Sequence, residues 1–237
     1  MKIQFPAFAA ALLLITATVR SSSSAASPLQ EVLARMDKAA SSFLAMSAHV
    51  TYVTHTAILN QDDKESGTVV MKKVAAGEVQ GLIDFIEPDP RTVQFEKRSL
   101  RIYYPKINTV NKWDLGKHGE QLDQFIMIGF GTSGTQLARD YSVKVLTDEK
   151  GTSQQGIATI RLELVPKDGE AAKYVKKLEL WIPQTGDDPY PVREKISQSS
   201  DDYRLVTYSE LKINPQLKPD ALQLKLPPGV KFEQPGK

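Results

Sequence analysis

Few residues in this chain have the type and spacing for covalent chemistry. Gly129-Phe130-Gly131-Thr132-Ser133-Gly134 spells the G-x-G-x-x-G pattern of dinucleotide sites. That pattern works between a strand and a helix of a βαβ unit, where the helix N-terminus meets pyrophosphate. Here a helical patch precedes it and antiparallel-looking strands follow, so it reads as a break between two short helices. There are three histidines. His49 and His55 fall on one face of one strand, but six residues apart they sit roughly 20 Å from each other, too far for one metal ion. His118 stands in a loop, and no H-E-x-x-H occurs. Ser133 has neither a G-x-S-x-G elbow nor a nearby histidine. Asp201-Asp202 reads as a hairpin turn, and no spacing singles out a pair of carboxylates for glycoside hydrolysis. No metal, cofactor or catalytic group is expected.

The chain opens like an exported protein. Met1-Lys2 leads into an apolar run from Phe8 to Val19, then a serine tract and Ser24-Ala25-Ala26, the pattern of a secretory signal peptide over residues 1–26. The run is too short for a permanent membrane span. Residues 27–237 then form one domain of ordinary size. There is no cysteine, hence no lipid-attachment site of the lipobox kind and no disulfide; a core of this size folds without one. Of the 30 lysines and arginines, Lys2 and Arg20 lie in the leader, so 28 basic residues face 28 acidic ones. A neutral chain with interspersed charges carries no footprint for nucleic acid.

The elements that remain are short strands around one helix. Ser27, Pro28 and Gln30 make an N-terminal capping box. Leu29, Val32, Leu33, Met36, Ala39, Ala40 and Phe43 then recur at helical steps, opposite Glu31, Arg35, Asp37, Lys38 and Ser42. A strand from about Ser47 to Leu59 follows. From Gly67 to Trp113 comes a meander of β-branched and aromatic pieces bounded by Gly, Pro, Asn or charges. Side chains alternate along a strand, so Val69 and Met71, Ile83 and Phe85, Val93 and Phe95, and Ile102 and Tyr104 pair off on single faces. The segment Leu115 to Asp140 reads as a broken pair of short helices, apolar at Leu122, Phe125, Ile126, Met127 and Ile128. Strand patterns resume at Tyr141–Thr147, Gly156–Val165, Val175–Pro183, Val192–Gln198, Tyr203–Ile213 and Leu222–Leu226. The fold class is mainly β with a few helices: one large antiparallel sheet with helices on one face. Its apolar face is either an ordinary core or the wall of a cavity for a hydrophobic ligand.

The succession of motifs resembles the periplasmic outer-membrane lipoprotein carrier family, LolA, and its lipoprotein-sorting relatives. The residues that carry it are Leu29 to Met36, Gly67-Thr68-Val69-Val70-Met71-Lys72-Lys73, Asp84-Phe85-Ile86-Glu87-Pro88 and Leu100-Arg101-Ile102-Tyr103-Tyr104-Pro105. Phe130-Gly131-Thr132-Ser133-Gly134, Leu162-Glu163-Leu164-Val165-Pro166, Leu180-Trp181 and Leu226-Pro227-Pro228-Gly229-Val230 continue it, in order, along nearly all of the mature chain. The resemblance implies an unclosed antiparallel β-barrel, a half-barrel lidded by the N-terminal helix and the central broken helical segment. It also implies a monomer that carries lipoprotein acyl chains, without covalent chemistry, from an inner-membrane release complex to an outer-membrane acceptor. On that reading Val69, Met71, Ile83, Phe85, Val93, Phe95, Ile102 and Tyr104 form the cavity wall, and Leu33, Met36, Phe43, Phe125 and Ile126 the lid. The family's lid-clasping arginine falls on Lys73, a point charge in place of a planar fork. A shuttle or sensor for another lipid is the rival within the binding class, and an exported hydrolase the rival outside it.

Overall fold

In the computed structural model the described residues are 26–75, 78–96, 98–116, 128–146, 156–167 and 171–235; the expected signal peptide, apart from Ala26, lies outside them. Helix α1, Pro28–Ser42, starts where the capping box puts it: the Ser27 hydroxyl accepts from Gln30 N and the Gln30 side chain accepts from Ser27 N. The first six strands follow as hairpins: β1 Ala45–Thr56, β2 Gln61–Ala75, β3 Glu78–Glu87, β4 Arg91–Glu96, β5 Ser99–Tyr104 and β6 Thr109–Asp114. A turn over Ile128–Gly131 leads to α2, Gly134–Asp140, then β7 Tyr141–Leu146 and β8 Thr159–Pro166. The short α3, Ala171–Tyr174, precedes β9 Lys177–Pro183, β10 Arg193–Ser197, β11 Tyr203–Ile213 and β12 Lys231–Glu233.

All twelve strands of the described residues belong to one sheet in the order β12-β6-β5-β4-β3-β2-β1-β11-β10-β9-β8-β7. Its two ends, β12 and β7, are not paired with each other, so the barrel is open. Every pairing is antiparallel except β12 on β6, which is parallel. The strand expected at Leu222–Leu226 is irregular chain. Instead, the C-terminal segment crosses the outer face of the meander, where the Gln94 amide donates to Leu222 O (2.6 Å), Leu224 is buried, and Asn108 donates to Gly229 O (3.2 Å). Alternating leucines there satisfy a surface already made, and no ladder partner stands beside them.

The inner face holds two apolar clusters, and α1 bridges them. Its first half sets Val32 and Met36 against Leu162, Leu164, Leu178, Leu180 and Ile182 of β8 and β9. Its second half sets Ala39 and Phe43 against Met46, Val50, Val69, Met71 and Phe95 of β1, β2 and β4. Phe43 packs with Phe130 and Tyr190 at centroid distances of 6.3 and 5.8 Å, and Phe130 stacks on Tyr190 at 5.9 Å.

Helices α1 and α2 touch at Gly134, where a Cβ would stand 2.2 Å from the carbonyl oxygen of Leu33. Only glycine permits that approach. Gly134→Val should therefore push the helices apart and lower the unfolding free energy by about 2 kcal/mol, read from urea denaturation.

Candidate functional site

Strand register decides which side chains share the concave face. Val69 pairs with Ile83, Ile83 with Val93, and Val93 with Ile102, forming one row. Met71 and Phe95 lie in the next row, where the Phe95 ring lies across Gly81. Phe85 lies opposite Arg91, and Tyr104 continues the parity of Ile102. The eight residues expected as a wall thus share the face that carries α1. Their burial differs: Val69, Met71, Phe85 and Phe95 are buried, whereas Ile83, Val93, Ile102 and Tyr104 are only half-buried. The packed part lies under α1 and the ring cluster; the accessible part lies beyond it, toward β5.

The expected lid divides. Phe43, 1 % exposed, sits over the wall. Leu33 and Met36 instead pack on β8 and β9, because a helix of this length, about 22 Å, crosses from one cluster to the other. Phe125 and Ile126 lie outside the described residues, so of the broken helical segment the structure describes only the turn and α2. Lys73 donates its backbone N–H to Leu44 O (2.8 Å), and its side chain makes no bond to α1 among the described residues. The clasp comes from the helix itself. The Arg35 guanidinium donates to the carbonyls of Pro183 (2.9 Å), Gln184 (3.1 Å) and Gly186 (2.9 Å). Asp37 accepts from Thr135 N (2.8 Å), and Tyr190 donates to Ala39 O (3.2 Å). In sequence Arg35 is one more charge on the polar side of an amphipathic helix, and nothing local marks its partners.

Polar groups enter the concave face in two places. At the rim, Arg91 pairs with Glu65 through both oxygens (Nη2 to Oε2 2.8 Å) and lies 4.1 Å from the Phe85 ring centre, while Tyr52 meets Phe85 edge-on at 6.1 Å. The Glu65 hydrogen bond raises the Arg91 pKa, and burial raises that of Tyr52. A cavity of about 440 Å³ opens beside them, lined by Asp89, Pro90, Arg91, Tyr104, Lys106 and Ile107. Deeper in, Glu194 occupies the row Leu162–Leu180–Glu194–Val206–Tyr52. Burial of its carboxyl pushes the pKa up to about 8, against the pull of a hydrogen bond from Tyr208. The phenol of Tyr208 is itself held well above its usual pKa, again chiefly by burial. The sequence carried a signal for Glu194: parity places it between Val192 and Ile196 on an inward face.

No family model and no curated protein matches the chain. Solved structures similar to it include an uncharacterized conserved protein of Thermus thermophilus, at 13 % identity and TM-score 0.49 over 86 % of this chain and 98 % of that one. The lipoprotein LppX of Mycobacterium tuberculosis is similar at 15 % identity and TM-score 0.47, over 81 % and 99 %. A LolA superfamily protein of Nitrosomonas europaea gives 15 % and 0.40, over 83 % and 97 %.

Glu194 holds its proton more tightly in the folded chain than in the unfolded one, so folding loses stability as pH rises. The loss runs between its ordinary pKa of 4.5 and about 8. Glu194→Gln should flatten that part of the profile, measured as the difference between the two proteins' urea unfolding free energies from pH 4 to 9.

Proposed function

We propose that the protein is a carrier for hydrophobic chains outside the cytoplasm, taking the acyl chains of a lipoprotein into the trough between the sheet and α1. The observation that carries this reading is the strip of half-buried apolar side chains on the concave face. Ile83 borders the packed core, and Val93, Ile102 and Tyr104 continue it into a region where, among the described residues, neither core cluster packs on them. A contiguous apolar strip left partly open in this way is the mark of a ligand groove or an interaction face. The rim cavity next to Tyr104 and Arg91 has the size of a small ligand site. The signal-peptide pattern over residues 1–26 and the order of motifs shared with the LolA carriers support the same reading. They also support transfer from an inner-membrane release complex to an outer-membrane acceptor.

The energetics of such a carrier are demanding. Each methylene kept from water is worth about 0.8 kcal/mol, so a chain of about 16 carbons carries on the order of 10 kcal/mol. A site that sheltered all of it would not release it. A trough packed at one end and accessible at the other shelters part and leaves the rest for the acceptor.

Two measurements test this. Mass spectrometry of the protein purified from its own periplasm should find a lipoprotein; a free lipid would instead make it a shuttle for that lipid. Val93→Asp and Ile102→Glu, at half-buried positions, should weaken binding of the fluorescent apolar probe N-phenyl-1-naphthylamine at least tenfold. Lys112→Glu, exposed on the outer face, should leave it unchanged. Equal probe binding by all four proteins would sink the reading.

A further inference from the structure

Two glutamates on opposite faces of the sheet have carboxyl oxygens withdrawn from solvent, and the sheet treats them differently. Glu179, 1 % exposed and on the outer face, sits between Arg161 (2.6 Å) and Lys177 (3.3 Å). A buried acid kept for structure is compensated in this way. Glu194 faces inward and has no cation partner among the described residues. The nearby Tyr208 hydroxyl acts on its carboxyl, lowering its pKa, whereas Oε1 has no hydrogen-bond partner among the described residues, although it is sealed from solvent. Buried polar atoms without partners are rare and costly, so Oε1 calls for a partner, either a water or a polar group of a ligand.

The surroundings of Glu194 are those of a covered subsite. Its row neighbours Leu180 and Val206 are apolar, and the row runs on to Tyr52, which touches Phe85 of the proposed wall. Above it lies the turn Ile128–Gly131. A Cβ at Gly129 would stand 3.3 Å from Glu194 Oε1, and the Phe130 ring meets Tyr208 edge-on at 5.1 Å. Phe130 is 1 % exposed and flanked by two glycines in left-handed backbone, Gly129 (φ +84°) and Gly131 (φ +95°). It closes the ring cluster from a segment that only glycines let turn so sharply.

We propose that Glu194 and Tyr208 form the polar end of the acyl-chain site, hydrogen-bonding a neutral amide or hydroxyl group at the head of the chain when Phe130 swings aside. This rests on the carrier reading and adds a head-group preference to it. A protonated carboxyl both donates and accepts, which matches an amide or a glycerol hydroxyl. A free fatty-acid carboxylate would bring an uncompensated charge into the same desolvated spot and be disfavoured.

The test is displacement of N-phenyl-1-naphthylamine by 1-palmitoylglycerol and by palmitate at pH 7. The wild-type protein should prefer the monoacylglycerol. Glu194→Met should reduce that preference about tenfold, while its thermal midpoint stays the same or rises because an unpaired polar atom is gone. Glu194→Gln, which keeps a donor and an acceptor, should retain the preference within about threefold. An undiminished preference in the Met variant overturns the proposal, since an ordered water would then be the only partner of Oε1. A Met variant that unfolds overturns it as well, unless Tyr208→Phe, which removes one hydroxyl, lowers the preference in a protein that still folds. Failure of the wild-type protein to bind the probe at all would overturn the carrier reading itself.

Discussion

Twelve strands in one sheet present more apolar inner face than a 15-residue helix can cover, and the rest of the structure follows from that mismatch. A strand turns every second side chain inward, so each added strand adds apolar surface that must be buried. Helix α1 meets the demand at two places. It gives Val32 and Met36 to the β8–β9 side and Ala39 and Phe43 to the β1–β2 side. Phe130 and Tyr190 extend the cover around Phe43. Toward β5 no comparable packing surrounds Val93, Ile102 and Tyr104 among the described residues, and they stay half-buried.

The bonds that fix α1 are mostly side chain to backbone. Arg35 reaches three carbonyls beyond β9, and Asn214 at the end of β11 bridges the helix end and the start of β1 through Ser42 O (2.8 Å) and Leu44 N (2.7 Å). Such bonds hold the helix from its sides, at Arg35 and Asp37, and at its C-terminal end, and leave its inward contact to apolar packing. Apolar packing is non-directional, so an oily guest can replace part of it without leaving polar groups stranded. A helix fixed along its length by ion pairs would exact a larger penalty for any shift.

What could be read from sequence was what depends on near neighbours. The capping box at Ser27 and the shared face of Val69, Ile83, Val93 and Ile102 are local periodicities, and register then aligned them. Even the hairpin tips carry local marks, for Asn60 and Asn108 adopt left-handed backbone (φ 47° and 50°). What could not be read joins residues far apart. Arg35 meets carbonyls more than a hundred positions away, and α1 divides its apolar stripe between two clusters that sequence does not distinguish. The alternation Leu222-Gln223-Leu224 has the period of a strand, yet it lies over an outer face that already has its full set of ladder partners. Glu194 lies between these cases: its inward parity was visible, its lack of a cation partner among the described residues was not.

The place of β1 in the sheet has a consequence for how the chain assembles. It is the earliest strand, yet it stands in the interior, with β2 on one side and β11 on the other. During synthesis the first hairpin leaves one flank of β1 bare until β11, late in the chain, arrives to zip against it. Long-range pairing of this kind is slow, so maturation is governed by the last strands to emerge, and a chain cut short before Tyr203 would expose an open edge able to pair with its own copies.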